Sequence, residues 1–225
     1  TEEELAINAE RGERLVPVRV DLDLDTFKIR DCFLWNLNEE LLTPERFAEV
    51  FCEDVELSAP QYAPSIAMMI RAQLQEYEQV DDASAAEEDT RVAITLDLHV
   101  GQLYLRDRFE WDLASTLPPE EFARQLVADL GIGGEFVSLI AYSIREQLYR
   151  FRRERVYGGN LDDDDFELVH GPLNTAFRTI DEAEEWSPML ESLTAEEVEK
   201  MVMDKERSTR RLRRETARYA SGRSR

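Results

Sequence analysis

The sequence predicts an α+β fold in which two tandem ββαα repeats are followed by an irregular segment and a C-terminal basic α-helix. Three observations carry that prediction: the chain repeats itself, each copy passes from a hydrophobic period of two to a period of three to four, and the basic residues gather at one end. The repetition is direct. Val18-Arg-Val-Asp-Leu-Asp-Leu, then Arg30-Asp-Cys-Phe-Leu-Trp-Asn-Leu, returns 76 residues later as Ile94-Thr-Leu-Asp-Leu-His-Val, then Arg106-Asp-Arg-Phe-Glu-Trp-Asp-Leu. The offset falls to 75 at Thr43-Pro-Glu-Arg-Phe-Ala against Pro118-Pro-Glu-Glu-Phe-Ala, and to 74 at Ile66-Ala-Met-Met-Ile-Arg-Ala-Gln-Leu against Ile140-Ala-Tyr-Ser-Ile-Arg-Glu-Gln-Leu, so the losses mark loops. An active site is usually assembled once from unlike parts, whereas a duplicated module that keeps its polar signature points to two related docking faces.

In chain order, residues 1–14 are charged and read as a flexible, weakly helical lead-in. The first repeat spans 15–78. Val16, Val18, Val20, Leu22 and Leu24 alternate with polar partners, the period of a strand with one wet face; Asp25-Thr26 is the expected turn, and Phe27, Ile29 and Asp31 continue a returning strand. Thr43-Pro44-Glu45 then opens a helix, since threonine can cap, proline loses nothing in the first turn and glutamate suits the positive helix end. Phe47, Val50 and Phe51 are its expected inward stripe, and a second helix over about Tyr62–Tyr77 turns Ile66, Met69, Ile70 and Leu74 inward. An acidic linker without periodicity fills 79–90.

The second repeat, 91–151, has the same parts. Val92, Ile94, Leu96 and Leu98 form its first strand, Gly101-Gln102 the turn, and Leu103 and Leu105 the return. Pro118-Pro119-Glu120 opens a helix with Phe122, Leu126 and Leu130 inward, and Phe136–Phe151 a second with Ile140, Ile144 and Leu148 inward. Residues 152–193 read as an irregular, acidic connector. Thr194-Ala-Glu-Glu197 is a capping box that opens the final helix, 194–220, and 221–225 is a tail.

With 225 residues, 43% of them hydrophobic, the chain can bury a core without a metal or disulfide. Cys32 and Cys52 fall where the other copy has Arg108 and Val127, so both are expected reduced, as in the cytosol or nucleus. The longest largely apolar stretch, Phe136 to Ile144, is far below the roughly 20 residues that span a bilayer, so no membrane partner is expected. The charge is bipolar: residues 205–225 carry nine basic and two acidic side chains, a balance of +7, which leaves −29 on the rest of a chain whose net charge is −22. Such a basic end implies an anionic partner of its own.

Catalytic signatures are absent: there is no GxxxxGK[ST] loop, no HExxH and no GxSxG. Asp31 and Asp107 recur, but one carboxylate per copy is no acid–base pair. Asp162 to Asp165 lack the alternating ligands, glycine and distal glutamate of a calcium loop. Gly131-Ile-Gly-Gly134 follows a helix, which makes a helix C-cap and inter-helix turn the better account than a phosphate loop. Trp35, Trp111, Phe33 and Phe109 are expected in the cores. No catalytic residue, cofactor or metal is therefore expected. On the last helix Arg207, Arg210, Arg211, Arg214 and Arg218 fall within roughly a 100° arc, one stripe of guanidinium forks suited to carboxylate or phosphate. Spacing alone leaves both an acidic protein patch and DNA open as partners.

Taken together, Leu15-Val-Pro-Val-Arg-Val-Asp, Arg30-Asp-x-Phe-x-Trp-Asn, Gly131-Ile-Gly-Gly-Glu-Phe-Val with Ile140-Ala-Tyr-Ser-Ile-Arg, Trp186-x-Pro-x-Leu-Glu-x-Leu-Thr and Arg207-x-Thr-Arg-Arg-x-Arg-Arg214 resemble the Snf-five (integrase-interactor) family. These are core subunits of SWI/SNF-type chromatin remodellers, with a paralogue in the fungal RSC complex, and the likeness covers about residues 15–218. It implies a nuclear, non-catalytic scaffold in a complex whose ATP hydrolysis belongs to a separate motor subunit. It also implies that the repeats dock on SWIRM domains of partner scaffold subunits and that the arginine helix grips the histone acidic patch of the nucleosome. Direct DNA binding by the basic helix is the alternative. On the helical wheel the outward, docking candidates are Glu49, Glu53, Met68, Arg71 and Gln75 in the first copy, and Arg124, Ala128, Tyr142, Arg145 and Tyr149 in the second. Gln73 and Gln147 also recur but turn inward, where a structural hydrogen bond is expected.

Overall fold

The computed structural model describes residues 2–24, 28–83, 90–157, 173, 177–201, 203–204 and 207. The chain forms two compact units, Thr1–Ala85 and Ala86–Arg225. Each holds one repeat with the expected order of elements. In the first, β1 (Leu15–Asp23) and β2 (Lys28–Asn36) pair antiparallel, with Val18 opposite Phe33 and Val16 opposite Trp35, and α2 (Pro44–Asp54) and α3 (Ala59–Ala83) follow. In the second, β3 (Arg91–Val100) and β4 (Leu103–Asp112) set Ile94 opposite Phe109 and Val92 opposite Trp111, and α4 (Pro119–Leu130) and α5 (Glu135–Tyr157) follow.

The period-two residues line the cores as the alternation requires: Val16, Val18 and Val20 in one repeat, and Val92, Ile94 and Leu96 in the other, are fully buried. One aromatic cluster is built twice. Phe47 lies 4.7 Å from Phe33 and 5.4 Å, edge-on, from Trp35; Phe122 lies 4.7 Å from Phe109 and 5.3 Å, edge-on, from Trp111. Edge-to-face rings at this spacing add to burial because the positive ring edge meets a negative face. Thr43 accepts a hydrogen bond from the Arg46 N–H, Gly101 turns the second hairpin at φ 61, and Gly131 ends α4 at φ 65, where a side chain would be strained.

Several boundaries differ from the sequence reading. The lead-in contains α1 (Glu2–Ala9), and its Asn8 amide donates to Glu39 of the first repeat at 3.0 Å. The first linker does not begin at residue 79, because α3 runs to Ala83 with Tyr77 and Val80 buried at helical spacing. Val50 faces outward, and Ala48, Phe51 and Cys52 fill the inner face of α2 instead. The connector is not wholly irregular: α5 extends through Tyr157, and α6 (Ile180–Ala183), a 3₁₀ turn (Glu184–Trp186) and β5 (Met189–Ser192) follow. The Asp25-Thr26 turn, Phe27 and the Asp162–Asp165 run lie outside the described residues.

Candidate docking and binding surfaces

Two polar links recur in both repeats and tie helix to helix and helix to strand. Arg71 on α3 grips Glu45 in the first turn of α2 with two bonds, Nε at 2.5 Å and Nη2 at 2.6 Å. Arg145 on α5 grips Glu120 of α4 identically, at 2.5 and 2.8 Å. The hydrogen bonds from Arg71 hold the Glu45 carboxyl down at about 2. Burial is the largest influence on the Glu120 carboxyl and would raise it, but the Arg145 hydrogen bonds, a main-chain hydrogen bond and the charges of Arg145 and Arg124 together keep it below the usual range. The recurrence of this arginine thus has an internal cause, since each copy uses it to fix the angle between its helices.

The glutamines behave as expected of inward amides. Gln73 accepts from the Arg19 N–H at 2.9 Å and donates to the Arg19 carbonyl at 2.8 Å, and Gln147 does the same to Thr95 at 3.0 and 2.8 Å. Each side-chain amide stands in for one residue of a third strand along the edge of β1 or β3. The recurring aspartates act on the other edge: Asp31 accepts from the Cys32 N–H and Asp107 from the Arg108 N–H, both at 2.8 Å. This is the role of the Arg-Asp motif, a carboxylate that occupies one outward strand donor.

The remaining docking candidates sort by repeat. Glu49, Glu53, Met68, Arg71 and Gln75 are all exposed, Met68 at 67% of its surface. Glu49 and Glu53 line a groove of about 390 Å³ between α2 and α3, with Glu45 on the same acidic wall and Ala59, Pro60, Ala63, Pro64 and Ala67 opposite. In the second repeat Arg124 and Ala128 are exposed, whereas Tyr142, Arg145 and Tyr149 are half-buried. The equivalent helix carries Arg124 and Ala128 where the first has Glu49 and Glu53, so of the three wall carboxylates only that of Glu45 recurs, as Glu120.

The last segment adds a feature the sequence reading missed. Trp186 stacks against Arg178, with the guanidinium carbon 4.0 Å from the ring centre, and against Arg108 at 4.6 Å. Arg178 bonds Glu110 at 2.5 Å, and β5 pairs with β4 from Leu103 opposite Ser192 to Arg106 opposite Met189. The second repeat therefore has a three-stranded sheet and the first a two-stranded one. Thr179-x-x-Glu182 forms a full capping box, a pattern that was available to mark this turn.

The predicted capping box at Thr194 forms: Glu197 N–H donates to the threonine hydroxyl at 3.3 Å, and the Thr194 N–H donates to the Glu197 carboxylate at 2.8 Å. Helical residues follow from Ala195. Arg207 is exposed and lies 3.4 Å from Asp204; Arg210, Arg211, Arg214 and Arg218 lie outside the described residues. Among the described residues no cluster of metal-ligating side chains occurs, and no helix is long and apolar enough to cross a membrane.

Comparison with known proteins places the chain among chromatin-remodelling subunits by similarity. The family model described as SNF5 / SMARCB1 / INI1 matches residues 8–210. The chain is 35% identical over 230 residues to the chromatin structure-remodeling complex subunit SFH1 of Saccharomyces cerevisiae, covering 98% of this chain and 52% of that protein. It is 36% identical over 212 residues to SFH1 of Yarrowia lipolytica, covering 92% and 47%, and 35% identical over 226 residues to the SWI/SNF chromatin-remodeling complex subunit SNF5 of Saccharomyces cerevisiae, covering 92% and 25%. The chain thus spans about half the length, or less, of these relatives.

Proposed function

Because this chain belongs to the SNF5 / SMARCB1 / INI1 family, we propose that it is a non-catalytic scaffold subunit of a nuclear, ATP-dependent chromatin remodeller of the SWI/SNF or RSC class. Hydrolysis belongs to a motor subunit of the same complex. The observation that carries the reading is the duplication. Each repeat fixes its two helices with the same arginine–glutamate link and its own aromatic core, which leaves a rigid outward helical face on each. These faces are the docking surfaces for SWIRM domains of partner subunits, the first through Glu49, Glu53, Met68, Arg71 and Gln75, and the second through Arg124, Ala128, Tyr142, Arg145 and Tyr149.

The arginine stripe is the nucleosome contact, with Arg207, Arg210, Arg211, Arg214 and Arg218 meeting carboxylates of the histone acidic patch. Planar guanidinium forks favour such a site. The Arg207–Asp204 pair does not oppose this, because an exposed pair holds only about 0–1 kcal/mol and exchanges readily for another carboxylate. The test is charge reversal of Arg207, Arg210, Arg211 and Arg214 to glutamate, with binding measured to nucleosomes, to nucleosomes whose patch carboxylates are neutralised, and to free DNA. The expected result is a loss of at least roughly 100-fold on intact nucleosomes, reproduced with the unaltered chain when the patch is neutralised. Equal loss on free DNA, with no effect of the patch, would instead assign the stripe to DNA.

A further inference from the structure

The two repeats differ on one strand edge, and the difference identifies a second kind of binding site. The Arg19 N–H and carbonyl both bond Gln73, so they point away from β2. Arg19 lies opposite Cys32, and an antiparallel ladder alternates in direction, so Arg30 and Lys28 turn their main-chain groups to the outer edge of β2. In the second repeat Thr95 bonds Gln147 and lies opposite Arg108, so by the same parity Arg106 and Tyr104 face outward. There they meet Met189 and Glu191 of β5. Asp107 closes the end of this edge at Arg108, and Asp31 closes the matching edge at Cys32. The first repeat therefore presents an edge of the same direction over Lys28–Arg30, and among the described residues no strand pairs with it.

We infer that the outer edge of β2, Lys28–Arg30, takes a short extended segment of a partner protein as an antiparallel strand, apolar opposite Ile29 and acidic opposite Lys28. The pattern follows from the occupied edge. Leu190 lies opposite Leu105, which is fully buried, whereas Ile29 at the equivalent position stays half-exposed. Glu191 lies opposite Tyr104, and Lys28 replaces that tyrosine, so an acid in the partner meets a cation. The donor is a different protein from this one because this chain's own segment of that pattern is already engaged on β4. Addition of a strand to an open edge gains main-chain hydrogen bonds, with specificity set by alternate side chains.

The test uses the full chain, labelled for amide resonances, titrated with the peptide Ser-Pro-Met-Leu-Glu-Ser-Leu-Thr, the sequence of residues 187–194. Saturable shifts are expected at the Lys28, Ile29 and Arg30 amides. Lys28→Pro removes an outward N–H at the first residue of a strand, where proline is tolerated, and should weaken binding roughly five- to tenfold, whereas Lys28→Arg stays within about twofold. Methylating the peptide main-chain nitrogen at its glutamate, which faces the edge, should abolish binding, and methylating the preceding leucine nitrogen should not. This second comparison leaves the protein unaltered. Shifts confined to Tyr104–Arg106, no saturable binding, or indifference to both changes would overturn the inference.

Discussion

The two repeats carry the same polar skeleton but different surroundings. In both, an arginine ties the second helix to the first turn of the first, a glutamine amide runs along the inner strand, and an aspartate closes one outward donor of the outer strand. The second repeat then receives the Arg178–Trp186–β5 segment, whose Trp186 and Glu185 contact Arg108; there Asp107 is buried and Arg108 half-buried, whereas their counterparts in the first, Asp31 and Cys32, are exposed. Burial raises the Asp107 carboxyl, opposed by the Arg108 N–H it accepts from. The difference separates what makes the fold from what makes each copy particular: the links within a module are retained, and the outer edge and groove wall diverge.

The strongest way to test whether the copies are energetically separate is Trp111→Ala. It removes an aromatic ring from the second core and should cost about 3–5 kcal/mol there. Unfolding of the second unit, followed by amide exchange, should come earlier while the Val16, Val18 and Val20 amides keep their protection. Loss of protection in both would mean one shared core.

Gln147→Leu and Gln73→Leu sharpen the comparison. Each leaves a strand N–H and carbonyl without the amide, but Gln147 is buried and Gln73 only half-buried, so water can replace the latter. A loss of about 2–4 kcal/mol is expected for Gln147→Leu and clearly less for Gln73→Leu, read by denaturant midpoints. Trp186→Ala comes next. Without its two cation–ring contacts the β5 segment should loosen by about 1–2 kcal/mol, with exchange rising at Tyr104 and Arg106 and unchanged across β1 and β2.

The smallest effect is in acid. Because Glu45 is lowered from 4.5 to about 2, its link to Arg71 contributes stability that is fully present above pH 4.5 and is lost as the pH falls through 2. The gap in stability between the unaltered chain and Arg71→Ala should therefore narrow across that window. A gap that does not change with pH would mean that Arg71 acts by packing alone.

How far the sequence revealed this follows from the range of each interaction. The hairpins and helix pairs were legible because Val16, Val18 and Val20 alternate and Ile66 and Ile70 recur on one helical face, patterns set by the nearest neighbours. The inward turn of Gln73 and Gln147 followed from the helical wheel, although their partners did not, since the strand lies 54 and 52 residues away. The β5 strand was not legible: four exposed residues hold no periodicity, and their order comes from the waiting edge of β4. Likewise the recurrence of Arg71 and Arg145 on an outward face suggested docking, and only the neighbouring helix reveals Glu45 and Glu120 beneath it. Met68 and the divergent groove wall keep the docking reading without that argument.

The central claim is that duplication supplies two docking faces, and titration calorimetry of the full chain with an isolated SWIRM domain tests it most directly. The account predicts two sites per chain, with Glu49→Arg and Glu53→Arg together removing one and leaving the other at its original affinity. A single site in the unaltered chain, or two sites indifferent to these reversals, would contradict it.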